Sequence, residues 1–446
     1  MSIEGVKRYI FTIGYCIVYI LCYILFLNRY AEYAGFTLYN TNIAFIVLSV
    51  LIAAFPIRFH KECKSVSSFI SIFIYVLLYV PIILTFEMGS GLPQLQIFGI
   101  QIIFMFCMIL LLCADKFVVK PAITLRFSTN KDVTILIFNT VLVIAILLTL
   151  YVMWVYRGNM RLVSFNEVYE LRAKNAELGT GLFGYISSWL YTFFVPTCLV
   201  YGLMNKKKRF IVFSCVSCVI IYMATGSKGF VFFPVIIGGC YWLFKRVAFK
   251  HIYSKFVSVL SFALLILLIV PTFSHHVFDI KMRIMWRIIG NGGYITMWYY
   301  DYFSANPYTY YSHVNIINRI TGGYPYDVPL GFVIGREYWS PLMNANANFW
   351  ATDGIAATGM FGVVLVTLLF FCIFVFLNSI TKKINPLFVL LLTIPFIYSI
   401  LNLSLLTSLL TGGGFLLMFF FIILNSNNNI TTNENSNDNR CETAIC

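Results

Sequence analysis

Long apolar runs follow one another along almost the whole chain, separated by short polar connections. The hydrocarbon core of a bilayer takes about 20 apolar helical residues to cross. Runs over 9–27, 42–56, 68–86, 95–113, 133–155, 183–203, 210–224, 230–244, 256–273, 354–377, 387–401 and 405–424 predict about twelve transmembrane helices. The first run lacks a small-residue cleavage site and reads as a helix, not a signal peptide. Only Asn402-Leu403-Ser404 separates the last two runs, and Thr411-Gly-Gly-Gly414 interrupts the second of them. Two polar stretches break the rhythm, 156–182 and the much longer 274–353. The tail over 425–446 is rich in Asn and Thr with no apolar period, the composition of a disordered segment. The expected fold is an all-α polytopic membrane protein. It has a single integral membrane domain over 1–424 and one long loop between helices 9 and 10.

Charge orients this layout. Hydrophobic residues make up 60% of the chain and charged residues 11%, where a soluble domain carries about 25% charge. With the N-terminus in the cytoplasm, the cytoplasmic segments hold 20 of the 31 Lys and Arg residues but 7 of the 17 acids. That excess follows the positive-inside rule. It puts both termini in the cytoplasm and both polar stretches outside. The net charge of +14 thus reflects topology, and no basic face on a folded domain offers itself to nucleic acid. Lys206 to Arg209 suits anionic membrane lipid. No charged residue falls clearly inside a predicted span except Lys228 near one end, which argues against an ion-coupled carrier. The twelve cysteines lie in spans, in a cytoplasmic loop or in the tail, so no disulfide framework is expected. Cys215 and Cys218 form a CxxC within a span without a partner pair, and no metal or cofactor is expected.

Candidate chemistry lies in the outward segments. Arg161 and Arg172 in the shorter stretch are either solvated or face a phosphate, which guanidinium binds bidentately. Thr225-Gly-Ser-Lys-Gly229 is a short outward turn. Lys228 there either snorkels to the interface or stands at a helix N-terminus where backbone N–H groups also bind an anion. The long stretch opens with His275-His276, then Lys281, Arg283 and Arg287, the last two on one helical face. Next come Tyr294, Trp298, Tyr299, Tyr300, Tyr302, Tyr308, Tyr310 and Tyr311. They form either an interfacial aromatic belt or a groove on which sugar rings stack. His313, Arg319, Gly331, Arg336, Glu337 and Asp353 follow. Asn344-Ala-Asn-Ala-Asn-Phe349 offers the Asn346 and Asn348 amides to sugar hydroxyls.

These segments together resemble the Wzy-type O-antigen and oligosaccharide repeat-unit polymerases. The resemblance rests on Gly226-Ser-Lys-Gly229, on Tyr169-Glu-Leu-Arg172 after the fifth span, on Asn346-Ala-Asn-Phe-Trp-Ala-Thr-Asp-Gly354, and on Gly359-x-x-Gly362. Family loops carry an Arg with a Gly about eleven positions on; here Arg319 and Gly331 stand twelve apart. The resemblance implies a glycosyltransferase of the bacterial inner membrane. It would move a growing glycan from undecaprenyl diphosphate to a new lipid-linked repeat unit at the outer face. An undecaprenyl-diphosphate-linked oligosaccharide, membrane lipids, a chain-length regulator and a flippase are the implied partners. On this reading Arg161, Arg172, Lys228, Arg283, Arg287 and Arg319 hold diphosphates. Trp298, Tyr299, Tyr300, Asn346 and Asn348 hold sugars. Glu337, or else His313, is the general base. A repeat-unit flippase or other polysaccharide transporter, and an O-antigen ligase, are the alternatives.

Overall fold

The computed structural model describes residues 3–31, 35–117, 131–162, 171, 175, 181–226, 228–272 and 274–426. These residues form helices and connections, with no β-strand among them. Eight helices are long and apolar enough to cross a membrane, so the chain is a polytopic, membrane-embedded protein. The eight are α1 (Ile3–Tyr30), α3 (Val66–Gly89), α4 (Gln94–Lys116), α5 (Asp132–Tyr156), α6 (Phe183–Met204), α7 (Lys208–Thr225), α9 (Phe249–Ile269) and α13 (Trp350–Thr381). Shorter apolar helices are α2 (Ile43–Phe59), α8 (Lys228–Phe244), α14 (Pro386–Asn402) and α16 (Gly414–Ser426). The last predicted span is broken in two. A short α15 (Leu405–Leu410) ends at the glycine run, where Gly413 takes φ 76°, and α16 begins beyond it. The predicted segment over 425–446 lies almost wholly outside the described residues, as does most of 163–180.

The chain divides into two interleaved compact units, Met1–Val118 with Ala248–Val375 and Ile397–Thr407, and Val119–Val247 with Phe376–Phe396 and Ser408–Cys446. In the second unit Phe138 of α5 stacks on Tyr201 of α6 with centroids 3.9 Å apart. Phe388 of α14 and Phe420 of α16 meet the same Phe138 ring edge-on. Trp189 Nε1 donates to the Leu410 carbonyl at 3.0 Å. Aromatic packing thus carries the core where no hydrophobic driving force separates helix from lipid.

The first unit corrects the largest expectation from the sequence. The stretch 274–353 is not an open loop. Residues 275–305 form one long helix, α10, made of an α segment His275–Met285, a π turn Trp286–Gly290 and a second α segment Asn291–Ala305. Two short helices follow, α11 (Asn315–Thr321) and α12 (Leu330–Tyr338). Every residue from Asn291 to Tyr299 is buried. That half of α10 packs on α3, and Gly292-Gly293 makes the approach possible. A Cβ on Gly292 would lie 2.5 Å from the Leu77 carbonyl oxygen, and one on Gly293 2.5 Å from that of Pro81. Pro81 has no N–H to offer the carbonyl four residues back, which is Leu77, and α3 widens into a π turn over Tyr75–Tyr79 there. Pro196 follows the π turn Leu190–Phe194 of α6 in the same way. Tyr19 of α1 closes the packing by donating to the Ile289 carbonyl at 3.1 Å.

Charged residues are buried in apolar helices of this unit, against expectation. Arg8 in α1 donates Nη1 to the Lys61 carbonyl at 2.5 Å and also to that of His60. Glu87 in the last turn of α3 and Asp353 in the first turn of α13 are 1% and 0% exposed. The sequence placed both acids in connections because the apolar runs stop short of the helix ends.

Glycine packing makes a direct test. Gly293→Ala should lower stability by about 1–3 kcal/mol through overpacking. Gly99→Ala in α4, where a Cβ meets nothing within 4 Å, should not. Thermal midpoints of the purified variants read this. His60, in the connection between α2 and α3, makes a second test. Burial, and then the Arg8 charge, push its pKa down to about 3. The folded imidazole therefore stays neutral while the unfolded one takes a proton below about pH 6.5. Stability should be unaffected above that pH and fall as pH drops toward 3, by roughly 2 kcal/mol at pH 5. His60→Gln should remove that part of the pH slope in melts at pH 7 and pH 5.

Candidate functional site

The site forms where the connection after α10 meets the first turns of α13. That helix starts as a π turn, Trp350–Ala356, and breaks at Thr358 (φ −153°, ψ 28°) and Gly359 (φ 71°, ψ −151°). The break strips the Ala356 and Ala357 carbonyls of helical partners, and a buried carbonyl must find a donor. Thr309 N–H donates to Ala356 at 2.8 Å and Tyr310 N–H to Ala357 at 3.1 Å. To make these bonds the connection turns through two successive left-handed residues, Tyr310 (φ 46°) and Tyr311 (φ 66°). Tyrosine rarely takes this backbone, and such strain collects at functional sites. It is the only positive-φ pair of neighbouring non-glycine residues among the described residues.

This strap delivers His313 to Asp353. His313 Nε2 lies 3.2 Å from Asp353 Oδ1, with the two side chains 5% and 1% exposed. Asp353 Oδ2 accepts the Leu405 backbone N–H at the start of α15. His313 Nδ1 lies 2.9 Å from Thr309 Oγ1, which is also 3.1 Å from the Ala356 carbonyl. An imidazole donating Nε2–H to Asp353 leaves Nδ1 as an acceptor, filled by the Thr309 hydroxyl proton. An imidazolium would donate from both nitrogens, and Thr309 would then turn its proton to Ala356. The Thr309 hydroxyl has a partner in either state, and Asp353 holds the ring in one tautomer. This is how a carboxylate orients a histidine base. Tyr311 borders the pair, and burial, then the Asp353 charge, push its phenol up.

Of the two bases suggested by the sequence, only His313 has such a setting. Glu337 is exposed on α12. The proposed sugar platform is mostly core. Tyr299 is fully buried and donates to the Ala345 carbonyl at 3.3 Å, and Trp298 stacks on Tyr338 at 5.3 Å and 7°. Asn348 is also buried. It donates to Thr296 Oγ1 at 2.8 Å, while its Oδ1 accepts the Trp350 and Ala351 N–H groups at 3.0 and 3.1 Å. It caps the π turn, and its burial keeps it from a ligand at the surface. Tyr300 is half-buried and accepts from Gln96 Nε2 at 2.9 Å. Asn346 is exposed. It lies with Asn344 over Gly331, where a Cβ would come within 2.7 Å of Asn346 Oδ1.

Arg283 and Arg287 are exposed on α10, and Arg319 is exposed on α11. Lys281, beside them in sequence, is buried and donates to the Leu268 and Val270 carbonyls at 3.1 Å, closing the end of α9. In the other unit Arg161 is exposed. Lys228 is the first residue of α8, two positions after Gly226 ends α7 at φ 64°. Arg172 lies outside the described residues. Asp353 was named from sequence without a role, and Thr309 was not named. The readable signal was an acid followed by glycine at the mouth of a long apolar run, where a carboxylate persists only if it is partnered.

No family model, no curated protein and no solved structure matches this chain.

Asn348→Ala would leave the Trp350 N–H buried without its side-chain acceptor and the Thr296 hydroxyl without its donor, while the Ala351 N–H keeps the Asn348 backbone carbonyl. It should cost about 1–2 kcal/mol as a lost cap, seen as a lowered thermal midpoint. Asn346→Ala should leave the midpoint unchanged within about 0.5 kcal/mol.

Proposed function

We propose that this protein is an O-antigen, or polysaccharide repeat-unit, polymerase of the bacterial inner membrane. The observation that carries the reading is the buried His313–Asp353 pair, held by a strained strap at the mouth of a membrane-spanning helix. A base fixed at one end of a polytopic bundle suits transfer between lipid-linked substrates, whose reacting sugars sit at the headgroups. The acceptor sugar's hydroxyl oxygen attacks the anomeric carbon of the donor glycan. The bond from that carbon to undecaprenyl diphosphate breaks, and the diphosphate leaves with the electron pair. The hydroxyl proton passes through Thr309 Oγ1 to His313 Nδ1, and Asp353 stabilises the imidazolium that results. Arg283, Arg287 and Arg319, exposed in the same unit, supply charge for the leaving diphosphate. Arg161, Arg172 and Lys228, in the other unit, are proposed as diphosphate-binding residues in their own right, and Tyr300 and Asn346 remain as sugar contacts.

One observation favours a second reading. Glu87 and Asp353 are buried carboxylates in apolar helices, the arrangement a cation- or proton-coupled carrier of lipid-linked glycan uses.

Deletion of the chain separates these readings. Loss of a polymerase should leave single repeat units on the lipopolysaccharide core and remove the long ladder. Loss of a carrier should trap single units on the cytoplasmic side, and loss of a ligase should leave long glycan on its lipid. A deletion strain with a full ladder defeats the polymerase reading. Complementation with His313→Ala or Asp353→Asn should cut elongation by about 10²–10⁴-fold at unchanged membrane level. Glu337→Gln should restore the ladder. If Glu337→Gln abolishes the ladder while His313→Ala keeps it, the base assignment is wrong.

A further inference from the structure

The first unit buries a second carboxylate that the proposed chemistry does not use. Glu87 accepts from Asn40 Nδ2 on Oε1. Its Oε2 accepts from Ser49 Oγ and Gln94 Nε2 at 3.0 Å each and from Gln101 Nε2 at 3.4 Å. All four partners are neutral, and Glu87 makes no ion pair among the described residues. Four donors spread over the connection before α2, α2 itself and α4 converge on one group. That is more organisation than closing a helix end requires.

Beside Glu87 opens a cavity of about 440 Å³, whose lining includes Tyr39, Asn40, Phe45, Gln94 and Ile97. A single ion or water needs only about 30 Å³, whereas small-molecule pockets run from about 300 to 1,000 Å³. The hydrogen-bonding state of the wall narrows the ligand further. An ionised carboxylate only accepts, so Asn40 and Gln94 must turn their NH₂ groups toward it, which settles the orientation of both amides. Asn40 spends its second N–H on Gln94 Oε1 at 3.3 Å, and its Oδ1 takes the Asn42 N–H at 2.9 Å. What remains unspent on the wall is one Gln94 N–H, the Asn42 Nδ2 N–H groups and the Tyr39 hydroxyl, with acceptor positions on Gln94 Oε1, Asn40 Oδ1 and Glu87 Oε1. Donors and acceptors thus stand side by side. A phosphate would need donors or cations throughout, and this wall offers a carboxylate and no cation. A molecule rich in hydroxyl groups fits, and the Tyr39 and Phe45 rings offer apolar faces to the C–H side of a sugar ring.

We propose that the Glu87 cavity is a saccharide-binding site that takes one pyranose ring. Gln94 and Asn40 contact its hydroxyls, and Glu87 acts by accepting from one and positioning both amides. The site needs none of the His313–Asp353 chemistry. It would serve a polymerase or a carrier equally.

The test uses the full chain in detergent micelles. The probes are the methyl glycosides of glucose, galactose, mannose, N-acetylglucosamine and N-acetylgalactosamine, with sodium chloride in a parallel titration. Calorimetry should show saturable binding of at least one glycoside. Gln94→Leu and Glu87→Gln should weaken it by about tenfold or more. Tyr39→Ala, at an exposed position, should weaken it measurably, and His313→Ala should leave it unchanged. The proposal is overturned if no glycoside binds saturably, if Gln94→Leu and Tyr39→Ala bind like the parent, or if only sodium binds and Glu87→Gln abolishes it. A deletion strain with an intact ladder would remove the polymerase reading without touching this binding result.

Discussion

The backbone's need for hydrogen-bond partners in an apolar medium governs this structure. Within a bilayer no water is available to satisfy a carbonyl that a helix has released. This chain releases several. Pro81 frees the carbonyl region at Leu77, and the α10 backbone at Gly292 closes over it. The ends of α2 and α9 are closed by cations, Arg8 on the Lys61 carbonyl and Lys281 on those of Leu268 and Val270. The break at Thr358–Gly359 frees Ala356 and Ala357, and the Thr309–Tyr310 strap takes them up. The last case creates the site. The same two bonds that satisfy the backbone force Tyr310 and Tyr311 into left-handed geometry and set His313 against Asp353.

The buried charges follow from this. A buried arginine or lysine has a high desolvation cost, so the two buried among the described residues, Arg8 and Lys281, are each committed to carbonyls and carry a structural role. The two buried acids differ from them and from each other. Asp353 has a histidine on one oxygen and a backbone N–H on the other, which suits a group that holds a base in place. Glu87 has neutral donors and a cavity alongside. One arrangement suits proton transfer and the other suits recognition of hydroxyls.

The aromatic residues of α10 show how composition misleads about place. Tyr294, Trp298 and Tyr299 read equally as an interfacial belt or as a sugar platform. In the structure they fill the packing of α10 on its neighbours, with Tyr294 stacked on Phe36 at 4.3 Å and Trp298 on Tyr338. Side chains at these spacings would line one face of an exposed helix. Here both faces of the segment are covered, because Gly292 and Gly293 let α3 come into backbone contact on one of them.

The sequence by itself determined the class of protein and the positions of its apolar helices. A run long enough to cross a bilayer must be helical to satisfy its own backbone, and that requirement is local. It also marked His313, the glycine run that separates α15 from α16, and the start of α8 at Lys228. Tertiary structure alone decided that 274–353 holds a buried helix, that Asn348 is a cap, and that His313 has Asp353 as its partner. It also decided that Glu87 lies inside the fold. Each of these depends on residues 40 or more positions apart in sequence brought together by packing. No local period encodes such a meeting.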